Sequence, residues 1–266
     1  MATLGDDFKF NGPVGGYTFY RKKGSDKVFV RARHQGGRKK KKKDLAPRVQ
    51  ETVSEFSLRS SAVKAIRLAI KDIKHLSDHN FTPKLNGVAR KPQLLDPAGA
   101  RGERSLLISR HTSYFAGFNL NKNNIFDSII RHPLHYSIDP VSGIANVQLP
   151  PLLPGISLFL PWPVPRYRVI IGLGLVADQL FETQKKDEWL NPGTAVATTD
   201  WLLSTETYDG KSFKLVLPVP EKKPAVAGLS YVLSIGIEWE ITILNARAKK
   251  EGGAAKIVDL VAVQSH

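Results

Sequence analysis

Two hydrophobic periods divide the chain. Beyond residue 117, apolar residues recur at every second position or fill short runs bounded by turn residues, which is the pattern of strands. "LHYSI" and "IANVQL" flank "DPVSG" as a hairpin. "YRVIIGLGLVA", "FKLVLPV", "YVLSIGIEWEITIL" and "AKIVDLVAVQ" are further strands, separated by turn-rich stretches such as "LNPGT" and "TYDGK". Seven or eight strands with no helical period between them predict an antiparallel β-sandwich over residues 117–266. The proline cluster "LPPLLPGISLFLPWPVP" predicts a bridging loop whose apolar residues pack over one end of the sandwich.

Residues 44–116 follow a different period. Val49, Phe56, Val63 and Ile70 repeat every seven residues, with Ile66 and Ile73 in a companion seam. Asp44 suits an N-cap and Pro47 suits a first turn. The pattern predicts an amphipathic helix of about seven turns, or two helices broken near Arg59, Ser60 and Ser61 where the stripe weakens. Residues 77–104, rich in Pro, Gly and charge, read as a connector with room for one short helix.

At the N-terminus, "GYTFYR" and "KVFVRAR" alternate about a turn containing Gly24, Ser25 and Asp26, which predicts a β-hairpin. Alternation puts Tyr17 and Phe19 on one face of the first strand, and Thr18 and Tyr20 on the other. In the second strand Val28, Val30 and Ala32 share a face, opposite Phe29, Arg31 and Arg33. An isolated hairpin is marginal in water, so this unit must dock on the chain, on another copy or on a ligand. The expected fold is mainly β: an N-terminal hairpin with its cationic run (1–43), a basic helical and connector segment (44–116) and the sandwich (117–266).

Composition sharpens this division. The chain has 266 residues, is 42% apolar and carries a formal charge of +15. Residues 1–111 hold 25 Lys and Arg against 10 Asp and Glu, while residues 112–266 hold 14 of each, so the whole excess lies in the first two-fifths. Arg38 followed by Lys39, Lys40, Lys41, Lys42 and Lys43 is the strongest single signal, because adjacent lysines repel and are seldom kept together by a fold's own needs. With Arg21, Lys22, Lys23, Arg31 and Arg33 they form the candidate polyanion-binding set. Tyr17, Phe19, Tyr20 and Phe29 are the candidate self-association residues, and would stack on bases if they faced outward. Neutralising about five to eight phosphates would give log K a slope of about −4.5 to −7 against log salt.

Other chemistry is thinly represented. The chain has no cysteine, which excludes disulfides, thiolate metal sites and cysteine nucleophiles. His75 and His79 stand four apart, a metal-binding spacing with no identifiable third ligand; an exposed histidine pair is the commoner reading. Glu238 and Glu240 share a strand face, which alternation on a half-exposed strand explains more simply than a catalytic pair. No Gly-x-Ser-x-Gly elbow occurs. Gly172 and Gly174 lack the third glycine of a dinucleotide loop, and are read as strand twist or close packing. Neither a cofactor nor a metal is expected, and neither a secretory signal nor a membrane-spanning run is present, so the chain is expected to be soluble and cytoplasmic.

"FKFNGPVGGYTFYRKKGSDKVFVRARHQGG", "RGERSLLISRHTSYFAGFNLNKNNIFDSIIRHPLHYSIDPVSGIANVQLP" and "YRVIIGLGLVAD" resemble a family of uncharacterised Bacteroidota proteins of similar length. The features that carry the resemblance are Gly12, Gly15, Gly16, Thr18, Phe19 and Tyr20, then Arg101 and Gly102, then Gly117, Phe118, Asn119 and Lys122. The family has no assigned activity, so the resemblance implies no catalytic residues. The lysine run departs from its pattern. The resulting expectation is a non-enzymatic, self-assembling structural protein, a homo-oligomer whose basic N-terminal region contacts a polyanion such as RNA or DNA. The alternatives are a monomeric, sequence-non-specific nucleic-acid-binding module and an enzyme acting on an anionic polymer.

Overall fold

The computed structural model describes residues 3–4, 11–22, 27–33, 45–182, 193–219, 228–240 and 252–263. The chain divides into two compact units, Met1–Gln50 and Glu51–His266. The expected turn at 24–26, the N-cap at Asp44 and the residues 241–244 of "YVLSIGIEWEITIL" lie outside the described residues.

The first unit is an antiparallel sheet of β1 (Thr3–Leu4), β2 (Gly12–Val14), β3 (Tyr17–Arg21) and β4 (Val28–Ala32), in the order β1-β4-β3-β2. The expected hairpin is β3–β4, and each of its edges carries one more short strand. Val14 pairs with Tyr17 across a two-residue turn at Gly15 and Gly16. Gly15 has φ 55°, the left-handed conformation that such a turn demands and glycine supplies without strain.

In the second unit a large sheet is ordered β12-β11-β7-β8, with β9 also pairing with β7. Its members are β7 (Arg166–Ala177), β8 (Thr194–Thr198), β9 (Leu202–Leu203), β11 (Leu229–Trp239) and β12 (Gly253–Ala262). A smaller antiparallel sheet, β10-β6-β5, is built from β5 (His135–Asp139), β6 (Ile144–Leu149) and β10 (Lys211–Val216). One core gathers Tyr167, Val169, Ile171 and Leu173 of β7, Tyr231, Leu233 and Ile235 of β11, and Val147, Leu149, Phe213 and Leu215 of the smaller sheet. Leu152, Leu158 and Val164 of the proline-rich loop join it, as the sequence predicts.

The other face of the large sheet meets helices. Helix α1 (Pro47–Ala69) runs unbroken through Arg59–Ser61, and a short 3-10 turn at Lys74–Leu76 follows it. Val63, Ile66, Ile70 and Ile73 are buried with Ile170, Val176, Val232 and Ile257 of the sheet. The seven-residue repeat is therefore a core only in its second half, and Val49 and Phe56 are 46% and 52% exposed. The connector holds a 13-residue helix, α2 (Thr82–Leu94), with Pro83 in its first turn and Pro92 in its last, positions where a missing N–H or a kink costs least.

The helix layer explains why β7 and β11 read as nearly continuous apolar runs: both their faces are buried. It also explains the glycines. A Cβ on Gly174 would lie 2.2 Å from the carbonyl oxygen of Ala69, and one on Gly236 would lie 2.4 Å from Leu76. Glycine at these two positions is the condition for the end of α1 and the 3-10 turn after it to approach the sheet. A bulge where Leu233 pairs with Asp259 but Ser234 pairs with Ile257 leaves Val258 unmatched, and it turns Leu260 to the same core as Ala255 and Ile257.

Candidate functional site

The N-terminal sheet sorts the sequence-predicted residues by face. Cross-strand partners share a face, and the register pairs Tyr17 with Ala32, Thr18 with Arg31, Phe19 with Val30, Tyr20 with Phe29 and Arg21 with Val28. One face therefore carries Thr18, Tyr20, Phe29 and Arg31, and alternation adds Lys22 and Arg33 at its margins. The opposite face carries Tyr17, Phe19 and Arg21 beside Val28, Val30 and Ala32. Lys23 and Arg38, Lys39, Lys40, Lys41, Lys42 and Lys43 lie outside the described residues.

On the first face the Tyr20 and Phe29 rings stack, with centroids 5.7 Å apart and planes inclined at 26°. Lys22 Nζ sits 4.5 Å from the Phe29 centroid, a cation–π contact that leaves the ammonium at the surface. Lys22, Arg31 and Arg33 are exposed, while Tyr20 and Phe29 are half-buried. Phe29 thus has its ring engaged by both Tyr20 and Lys22, so its capacity to stack on a base is small. The face is chiefly a cationic one, stiffened by aromatic packing. On the opposite face Val28 is 1% exposed, whereas the cross-strand pair Val14 and Tyr17 is 44% and 55% exposed.

The remaining candidates are engaged in structural contacts. His75 Nε2 lies 3.4 Å from Glu238, and Arg168 lies 2.7 Å from the same carboxylate. The hydrogen bond from His75, joined by Arg168, holds the Glu238 carboxyl below its ordinary value against the effect of burial. Arg166 clasps Glu240 through Nε and Nη2, both at 3.0 Å. The two glutamates are therefore cross-strand ion-pair partners of arginines on β7. His79 Nδ1 contacts Asp78 at 2.7 Å, and Asp78 also accepts the backbone N–H groups of Lys122 and Asn123. Among the described residues no three His, Asp or Glu side chains could jointly hold a metal ion.

Two features escaped the sequence. A 390 Å³ open depression lies on the outer face of the smaller sheet, where His135, Ser137, Asn146, Gln148, Ser212 and Lys214 stand in register. The second is an aromatic cluster in which Tyr167 pairs across strands with Trp239, which meets Trp162 edge-on at 5.6 Å. Tyr167 OH, Tyr208 OH, Trp162 Nε1 and Trp239 Nε1 are all buried without a hydrogen-bond partner. Burial pushes the Tyr167 phenol up to about 12, with Tyr208 adding to the effect. The first needs the register of three strands and the second the assembled fold, which no local pattern states. No helix among the described residues is long and apolar enough to cross a membrane. The sequence matches no family model, and no curated protein or solved structure was found to match it.

Proposed function

We propose that this protein is a non-enzymatic, sequence-non-specific polyanion-binding protein whose N-terminal sheet and adjoining basic run contact nucleic acid. The observation that carries the reading is the face bearing Lys22, Arg31 and Arg33 around the stacked Tyr20–Phe29 pair. Cations held on a stiff sheet lose less conformational entropy on meeting phosphates than cations on a free chain. No carboxylate stands among the described residues of β2, β3 and β4 to compete for them. Fluorescence anisotropy with a random-sequence oligonucleotide tests this. Binding is expected at about 50 mM salt and should weaken steeply as salt rises, since phosphate neutralisation releases counterions. Absence of binding, or binding indifferent to salt, refutes the reading.

Self-assembly is the second reading, and the exposed Val14–Tyr17 pair on the opposite face favours it. Strand addition is a poorer route. β1 has two residues, β2 has three, and Pro13 in β2 lacks an N–H to donate. Light scattering behind size-exclusion chromatography should give a mass above about 29 kDa, lowered by Tyr17→Ser. A strict monomer at high concentration removes this second reading and leaves the first intact.

A further inference from the structure

The charge excess of the second unit is confined to its helices. Residues 51–111 carry 11 Lys and Arg against 6 Asp and Glu, whereas residues 112–266 balance. Several of those carboxylates are engaged. Glu51 pairs with Arg101 at 3.2 Å. Glu55 accepts from the backbone N–H of Gly102 at 3.0 Å and from Arg104 at 3.4 Å. Asp78 accepts backbone N–H groups, and Asp96 accepts those of Ala98 and Ser105.

Within this setting one guanidinium is built into place. Gln93 of α2 is 1% exposed, and its amide nitrogen donates to the carbonyls of Glu55 and Arg104 at 3.0 and 3.2 Å. Its amide oxygen is thereby aimed at α1, where it accepts from Arg59 Nη1 at 3.2 Å. The Arg59 guanidinium also lies 5.6 Å from the Phe56 ring centroid. Its Nε is buried and has no hydrogen-bond partner. Arg90 stands one turn before Gln93 on the same face of α2, exposed. Burial, and then the charge of Arg90, hold the Arg59 guanidinium below its ordinary value, although Glu55 opposes them.

Arg59, fixed to α2 by a buried glutamine and keeping an N–H without a partner, and Arg90, one turn from that glutamine, form an arrangement short of an anion. We propose that Arg59 and Arg90 form a phosphate-binding site between α1 and α2. A guanidinium presents parallel N–H donors matched to two oxygens of a phosphate, and a second guanidinium closes the site from the other helix. Fixing Arg59 through Gln93 removes part of the entropy cost of binding. The site stands on residues of the second unit alone and does not depend on the N-terminal sheet.

The test uses the full chain and inorganic phosphate, with ionic strength held constant by chloride. Thermal unfolding should shift upward as phosphate replaces chloride, and calorimetric titration should give a saturable site. Arg90→Gln, at an exposed position, should weaken phosphate binding at least tenfold, while Arg31→Ala and Lys211→Ala leave it unchanged. An oligonucleotide that displaces phosphate in the wild type identifies phosphodiesters as the source, and failure to displace it identifies a small phosphate ligand; either supports the site. No shift at matched ionic strength, or an Arg90→Gln variant that binds phosphate as the wild type does, overturns the proposal. Loss of oligonucleotide binding in Arg31→Ala with phosphate binding retained separates this site from the one on the N-terminal sheet.

Discussion

The contact between α1 and the large sheet can be tested with a single methyl group. In Gly174→Ala the new Cβ would sit 2.2 Å from the Ala69 carbonyl oxygen and 2.7 Å from its carbonyl carbon and Cα. All three obstacles are backbone atoms, so no rotamer change relieves the overlap; the helix end must lift or the strand must bend. Overpacking of this kind costs about 1–3 kcal/mol, and obstruction by backbone on a central strand puts the cost near 3 kcal/mol. For a unit of this size, about 3 kcal/mol corresponds to a fall in melting temperature of roughly 6–12 °C. The same substitution at Gly87 provides the control. That residue lies within α2 outside the left-handed region, and a Cβ added there would meet no heavy atom within 4 Å. Gly87→Ala should raise stability by about 0.5–1 kcal/mol, through helix propensity and a less flexible unfolded chain. Differential scanning calorimetry of both variants reads the two signs side by side. A Gly174→Ala protein that melts with the wild type refutes the close approach of α1.

Three further outcomes follow from polar groups at buried or half-buried positions. Asn121 donates to the carbonyls of Leu76 and Gly253 and accepts from the Ala255 N–H. Asn121→Leu orphans all three and should cost roughly 3 kcal/mol or more in urea unfolding; a loss below about 1 kcal/mol contradicts this. Tyr167 has a phenol pushed up to about 12. Between about pH 10 and 12 the folded chain keeps a proton that the unfolded chain has lost, so stability falls with rising pH by about 2–3 kcal/mol. Tyr167→Phe should flatten that alkaline limb while costing little at neutral pH, because the hydroxyl has no partner; denaturation midpoints measured on both sides of about pH 10 check both parts. Glu238 behaves in the opposite sense. Its depressed carboxyl contributes stability above the ordinary value of 4.5, and that contribution is lost as pH falls through the folded value. Glu238→Gln should flatten the acid limb of unfolding, and an unaltered limb would show that His75 and Arg168 do not stabilise the carboxylate in solution.

The legible parts of the fold are those that local pattern decides. Alternation places β5, β6, β10 and the faces of β3 and β4, and continuous apolar runs place β7 and β11. β8 escapes notice because "TAVAT" is short and alanine-rich, with little to distinguish it from a loop. α2 exceeds expectation because Pro83 and Pro92 fall in its end turns and Gly87 is tolerated on its exposed side. The front of the seven-residue stripe misleads: a period states which residues share a face of α1, but not how far the sheet extends beneath them. The meeting of Lys22 with Phe29 needs the hairpin register, and that of Arg59 with Gln93 spans 34 residues between two helices. No local pattern carries that distance.

The central claim is that the face bearing Lys22, Arg31 and Arg33 contacts phosphates. The most direct measurement is the slope of log K against log salt for a random oligonucleotide, in the wild type and in Lys22→Ala/Arg31→Ala/Arg33→Ala. Three lost phosphate contacts should make the slope shallower by roughly 2 to 3, at about 0.7–0.9 per contact, with the melting temperature unchanged. Equal slopes in the two proteins would contradict the assignment, since whatever held the oligonucleotide would then lie elsewhere on the chain.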